Sequence, residues 1–238
     1  MDSIEVISSG SKSGVGVLDK SVAILAFLSA GGPASLAEVV DGTGLPRPTA
    51  HRLLSALETH HLVSREDGRY VLGLRLLGWG NRAAGVGLVE RARPVLEGLR
   101  DESGESTQLY VREGDHRVCV ASVERVTGLK DTVPVGAVMP LSRGSAGKVL
   151  LAFAPGGVDD RPEAAELRGI RVRGWAESVA EREAGVASVS APVFGEDGRL
   201  RAAVSASGPI SRLGERPGER LSQLVVEAAR EIERALIL

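Results

Sequence analysis

The sequence predicts an α+β protein in two parts, helical over its first third and built on antiparallel hairpins after it. Three observations carry that reading. Apolar residues recur at helical spacing between Val17 and Leu57, alternate at a period of two around Asp67-Gly68, and alternate again around Gly114-Asp115 and Gly195–Gly198. Helices that flank hairpins, instead of following each strand in turn, make an α+β architecture.

The first helix runs from Val17 to Leu28, with Val17, Leu18, Val22, Ile24, Leu25 and Leu28 apolar and Asp19 near its start. Ser35 can cap a second, shorter helix carrying Leu36, Val39 and Val40, which Gly42-Thr43-Gly44 then breaks. A third helix opens at Pro46–Pro48, where proline is tolerated because first-turn amides lack partners inside the helix. Its apolar stripe is Ala50, Leu53, Leu54 and Leu57, and its other face carries Arg47, Thr49, His51, Arg52 and Ser55. Leu62–Leu72 alternates around Asp67-Gly68 as a hairpin, with Arg65 and Arg69 near its tip.

Two short helices across a glycine turn, followed by a hairpin, have the spacing of a winged helix-turn-helix. The second helix of that motif enters a major groove by its N-terminal half. Arg47, Pro48, Thr49, His51 and Arg52 are therefore candidate readers of double-stranded DNA, and Arg65 and Arg69 candidate phosphate contacts. An αα-hairpin used only for packing is the alternative, although it predicts neither the wing nor the polar face. Met1–Arg75 holds seven Lys/Arg against eight Asp/Glu, so general electrostatic affinity for DNA is small. Locally grouped arginines, acting in two copies, would have to supply it.

Leu76–Leu88 contains four glycines and reads as a helical linker. Val89–Ser103 follows as a helix, with Pro94 inside it or near its start. Gln108–Glu113 with Arg117–Val123, and Val186–Phe194 with Leu200–Ser207, make two hairpins, and Leu221–Leu236 closes the chain as a helix. The expected organisation is a flexible tail at 1–13, a winged helix-turn-helix domain at 14–75, the linker at 76–88 and a second domain at 89–238.

Composition narrows the function. At 238 residues, 43% hydrophobic and 25% charged, the chain is an ordinary globular one with a net charge of -2. Cys119 is the lone cysteine, which excludes a disulfide framework and a cysteine-ligated zinc site and points to a reducing cytoplasm. No apolar run reaches the roughly 20 residues of a membrane span, and Met1–Ser13 lacks the apolar core of a signal peptide. Seven aromatic residues are too few for a base-stacking platform. His51, His60, His61 and His116 have no metal-ligand spacing, so no metal and no cofactor is expected. Glu181 and Glu183 lie in a charged stretch that reads as a solvated loop, and no catalytic constellation is visible.

Alternation places Ser188 and Ser190 on one face of their strand and Ser205 and Ser207 on one face of the next. A hairpin symmetric about Glu196-Asp197 would set Ser188 opposite Ser205, and a bulge at Gly198 would shift the register. Hydroxyls on an inner face suit a small polar ligand such as a carboxylate, whereas the same alternation also fits a solvent-exposed face. The Gly136–Ala152 segment leads glycines and serines into an apolar helix, whose first amides can hold an anion or simply be capped. It is not an ATPase phosphate loop, because Val149 follows Lys148, and Ser145 lies in no G-x-S-x-G elbow.

Three segments together, Gly44–Glu58, Gly136–Ala152 and the tracts Arg173–Ala176, Gly185–Val193 and Ala203–Pro209, resemble the IclR family of transcriptional regulators. The resemblance covers the chain from about Gly16 to its last helix. It implies a winged-helix reader joined by a helix to a GAF-like effector domain, self-associated as a dimer or tetramer on palindromic operators. It also implies a small-molecule effector, commonly an organic acid, held near Ser145 and Ala146 with Ser178, Ser188, Ser205 and Ser207 around it. Many members carry Cys where this chain has Ser188 and Asp where it has Ser178, which implies a more hydroxylic and less charged pocket here. The tracts Gly128–Gly136 and Arg173–Val193 look most like an actinobacterial branch linked to amino-acid biosynthesis, including the leucine pathway.

Overall fold

The computed structural model describes residues 13–83, 85, 87–154 and 163–237. Segment 1–12, most of the expected tail, lies outside the described residues. Chain contacts divide the protein into two units, the first ending at Ala83 and the second beginning at 84.

The first unit begins with α1 (Gly16–Gly31), α2 (Leu36–Thr43) and α3 (Arg47–Thr59). Ser35 and Glu38 form a reciprocal capping box at the start of α2, and Gly44, in the left-handed region at φ +66°, ends it. The wing is β1 (Val63–Glu66) paired with β2 (Arg69–Leu72), Glu66 opposite Arg69. Asp67 and Gly68 at φ +49° and +78° make the two-residue turn that matches the twist of a hairpin. Ala34 bridges to Tyr70, so the loop after α1 adds to the wing. Ile24, Leu28, Val39, Leu53, Leu54, Leu57, Val63 and Tyr70 form the core. Each large apolar side chain buried there is worth about 1.5–3 kcal/mol.

The unit ends in α4 (Arg75–Ala83), which has no buried residue among those whose burial is described. The sequence reads 76–88 as a helical linker whose glycines allow hinges; α4 ends at Ala83, and Gly85 and Gly87 take φ +93° and +80°.

The second unit opens with α5 (Leu88–Ser103), Pro94 falling inside it. A six-stranded antiparallel sheet follows, in the order β5 (Val138–Pro140), β4 (His116–Val123), β3 (Ser106–Glu113), β8 (Leu200–Pro209), β7 (Val186–Phe194) and β6 (Ala176–Val179). α5 and α9 (Pro217–Ile237) cover one face through Leu96, Leu99, Leu221, Val225 and Ile232. α6 (Ser145–Ala152) and α7 (Ala164–Arg173) cover the other through Val149, Leu150, Leu167 and Ile170. α8 (Ile210–Leu213) is a single turn after β8. Among the described residues no helix is long and apolar enough to cross a membrane.

The central strands β7 and β8 are buried on both faces, and alternation sorts their side chains. Ala187, Val189, Ala191, Ala202, Val204 and Ala206 belong to the core under α5 and α9. Ser188, Ser190, Ser205 and Ser207 therefore point the other way, toward α6.

Candidate functional site

The first unit offers an open polar surface. Arg47, Pro48, His51 and Arg52 are exposed on α3 and Thr49 is half-buried, while Ala50, Leu53, Leu54 and Leu57 fix the opposite face in the core. Among the described residues, the side chains of Arg47, His51 and Arg52 have no hydrogen-bond or ion-pair partner, and no acid stands in the first turn. Donors on that face are free to meet an outside acceptor.

The wing arginines are different. Arg65 Nε donates to Glu58 Oε1 at 3.0 Å, Nη2 donates to the Tyr70 hydroxyl at 2.6 Å, and the guanidinium lies 4.4 Å from the Tyr70 ring centre. Arg69 donates to both Glu38 oxygens, at 2.9 and 2.7 Å, and to the Pro33 carbonyl. These contacts tie the wing to α3 and to the start of α2. The Ser35 amide and hydroxyl, then Arg69, hold the Glu38 carboxyl down at about 2.

The second unit offers a partly enclosed one. A cavity between β7, β8 and the start of α6 is lined by Ser145, Ala146, Ser188, Ser205 and Ser207, and also by Tyr110, Arg117, Asp131, Gly144 and Arg182. It is tight, with a volume of about 10 Å³ to a water-sized sphere. That is roughly the room of one water position.

The hydroxyls bond one another. Ser145 Oγ lies 2.7 Å from the hydroxyls of both Ser188 and Ser190, and Ser190 donates to Ser205 at 2.9 Å. Ser207 donates to Gln108 Oε1 at 3.0 Å, and the buried Gln108 Nε2 has no acceptor among the described residues. The spacing predicts Ser188 opposite Ser205, whereas the structure pairs Ser188 with Ser207 and Ser190 with Ser205. The turn is centred further along the chain, closed by Gly198 N–H to Gly195 O and Gly195 N–H to Arg199 O, with a bulge at Val193/Phe194. A slip of two residues keeps every side chain on its face, so the serine surface survives the change.

The loop before α6 needs its glycines. Gly144 has φ +82°, and a β-carbon on Gly147 would stand 2.2 Å from the Leu141 carbonyl oxygen. Glu181 accepts from the Gly144 amide at 3.1 Å and from Lys148 at 2.5 Å, and Lys148 also meets Glu166 at 2.8 Å. Burial lowers the Lys148 pKa, but Glu166 and Glu181 outweigh it and the net shift is upward. Arg182 bonds Asp131 at 2.5 Å, joining the β6–β7 turn to the segment before β5. Cys119 is buried, its thiol pushed up to about 12 by desolvation, and is an unreactive core residue.

Residues 17–67 match the IclR helix-turn-helix domain, and residues 82–164 and 158–234 match the bacterial transcriptional regulator IclR C-terminal domain. The chain belongs to the IclR family. The glycerol operon regulatory protein of Streptomyces griseus is 32% identical over 92% of this chain and 95% of its own. The crystal structure of Thermotoga maritima IclR superposes with a TM-score of 0.71 at 27% identity, over 93% of this chain and 98% of that one. An IclR homolog from Microbacterium hydrocarbonoxydans, solved in complex with 4-hydroxybenzoate, has the same fold, with a TM-score of 0.72 at 23% identity over 93% and 99% of the chains. The relatives are regulators, not enzymes, and this IclR-family chain is a DNA-binding transcriptional regulator with an effector-type C-terminal domain.

The structure gathers Ser145, Ala146, Ser188, Ser205 and Ser207 around one cavity. Ser178 is buried on β6 opposite Ser188 but does not line it. Arg117, Asp131 and Arg182 also reach the cavity, from β4 and two loops, and add charge to its hydroxyl lining. Glu181 is not in a merely solvated loop, since it bonds the first amide of the α6 loop. Alternation places Arg117 on the face of Cys119, which packs on the α6 side, and that is the signal for the charged lining; Ala121, past the register shift, packs toward α5 and α9. Loop residues such as Asp131 and Arg182 carry no periodicity to read.

Proposed function

We propose that this regulator reads a palindromic operator as a dimer or tetramer in the cytoplasm, and that a small carboxylate-bearing metabolite modulates it. In this reading Arg47, Pro48, Thr49, His51 and Arg52 contact the operator, while Arg65 and Arg69 position the wing. Ser145, Ala146, Ser188, Ser205 and Ser207 hold the effector, with Ser178 behind them. The observation that carries it is the pairing of an unpartnered polar face on α3 with a partly enclosed, hydroxyl-lined cavity in the other unit. A regulator needs both a surface that reads and a place that senses.

Self-association is supported by an apolar surface on the first unit. Val15, Val17, Leu18 and Val22 on and beside α1, and Leu74, Leu77 and Trp79 along α4, are all exposed. It also answers the charge count, since two heads double the local arginines where the domain as a whole is not basic. The domain division proposed is reader to Arg75, linker at 76–88 and effector domain from 89. The link to amino-acid metabolism rests on the likeness of 128–136 and 173–193 alone.

Fluorescence anisotropy of a labelled fragment from upstream of the gene, against scrambled DNA and across a salt series, tests the reading. Nanomolar binding that survives scrambled competitor is expected, and leucine-pathway acids are then screened for a change in that affinity. Equal, weak binding to both DNAs would overturn the operator assignment.

A further inference from the structure

The cavity has an unbalanced charge. Three charged side chains line it, Arg117 and Arg182 positive and Asp131 negative. Arg182 is answered by Asp131 at 2.5 Å and by Glu183 at 3.7 Å, and nearby Lys148 by Glu166 and Glu181. Among the described residues no carboxylate forms an ion pair with Arg117, although Arg117 is only 2% exposed. A buried guanidinium without an anion is costly, and one that persists beside a cavity has a reason to be there.

Its hydrogen bonds show which edge is available. Nη1 donates to the Pro140 and Arg143 carbonyls, which fixes the group under the loop before α6. Nη2 has only the Met139 thioether at 3.7 Å, and Nε has no acceptor. Nε and Nη2 form the side edge of a guanidinium, the edge that fits a carboxylate with two parallel bonds. A β-carbon on Gly144, which lines the cavity, would stand 3.2 Å from Nη2. The free edge and the cavity are neighbours. Gln108 Nε2, buried beside Ser207 with no acceptor, is a second unused donor on the same face of the sheet.

We propose that Arg117 is the charge receptor of this cavity and that the effector is a small monoanion, its single carboxylate seated on the Nε–Nη2 edge and its remainder admitted as the serine hydroxyls exchange their mutual bonds for the ligand, because the cavity as built, at about 10 Å³, is smaller than any such molecule. This rests on the effector reading above and adds the charge it requires. A neutral ligand would leave Arg117 unanswered, and a dianion would bring one negative charge more than the lining can balance, because Asp131 already neutralises Arg182. Burial lowers the Arg117 pKa and outweighs Tyr110, which raises it, and Arg182 lowers it further.

The test is calorimetric titration of the full-length protein with isobutyrate, isobutyramide and methylmalonate at matched ionic strength. The three have nearly the same shape and carry one, zero and two negative charges. Isobutyrate is expected to bind at least tenfold tighter than either of the others. Arg117→Met should remove the preference over the amide, Arg117→Lys should keep part of it, and Asp131→Asn, which leaves Arg182 only the longer pairing with Glu183 at 3.7 Å, should move the preference toward methylmalonate. That last change is a gain, which misfolding cannot imitate. Equal binding of all three to the parent, or an undiminished preference in a folded Arg117→Met, overturns the charge assignment and leaves the cavity as an effector site. Binding of none of the three overturns both.

Discussion

The reading head and the effector cavity solve opposite problems with similar side chains. On α3, Arg47, His51 and Arg52 stand exposed with no partner among the described residues, because a DNA duplex brings its own acceptors and the surface must not compete with them. At the cavity, Ser145, Ser188 and Ser205 are linked by hydrogen bonds directly or through Ser190 behind them, because buried hydroxyls left unpaired are expensive. An open site can wait unsatisfied in water, whereas a closed one must satisfy itself until a ligand takes over the bonds. The wing lies between these extremes, with its arginines exposed but already held by Glu58, Tyr70 and Glu38.

Substitutions can break that contrast, and the largest effect is expected on the open surface. Arg47→Ala and Arg52→Ala should each weaken specific operator binding by about 1–3 kcal/mol while leaving the melting temperature and effector titrations unchanged. Anisotropy with operator and scrambled DNA reads this, and an Arg47→Ala protein that discriminates like the parent would remove that residue from the reading face. The closed site should respond in the reverse manner. Ser190→Ala takes away the link between Ser145 and Ser205, so denaturant unfolding should show a loss of about 1–2 kcal/mol with operator affinity unaltered.

Smaller effects sharpen the position of the wing. Ser35→Ala removes one half of the capping box and should cost about 1 kcal/mol in thermal unfolding of the first unit. Arg65→Ala breaks a half-exposed ion pair and should cost under about 1 kcal/mol of stability, with operator affinity reduced alike on all sequences. A sequence-dependent loss would instead make Arg65 a base reader. Glu38 supplies a pH signature. Its pKa is lowered from 4.5 to about 2 on folding, so its contribution is complete above about 4.5 and disappears as the pH falls toward 2. Acid titration of the first unit, followed by circular dichroism, should show stability declining through that window and a flatter profile in Glu38→Gln.

The difference between the two surfaces also explains how legible each was. Helix-turn-helix reading depends on local signals, and Ser35 with Glu38, Gly44, Pro46–Pro48 and Asp67-Gly68 each set a boundary through capping, left-handed backbone or a fixed φ. The serine face was legible because strands have a period of two, which survives the two-residue error in register. Short elements were not. β5 and β6, of three and four residues, hold too few positions to show alternation, and α7 shows only Ala164, Leu167 and Ile170 as its buried side.

By itself, then, the sequence determined the two kinds of architecture, the polar face of α3 and the hydroxyl face of the hairpin, since each follows from periodicity within one segment. Only the tertiary structure decided that the hydroxyls face α6 and not solvent, that Arg65 and Arg69 brace the wing, and that Arg117, Asp131 and Arg182 complete the cavity. Those facts depend on which segments meet across the sheet. Asp131 and Arg182 are separated by 51 positions yet bonded, and no local pattern records a contact made by folding.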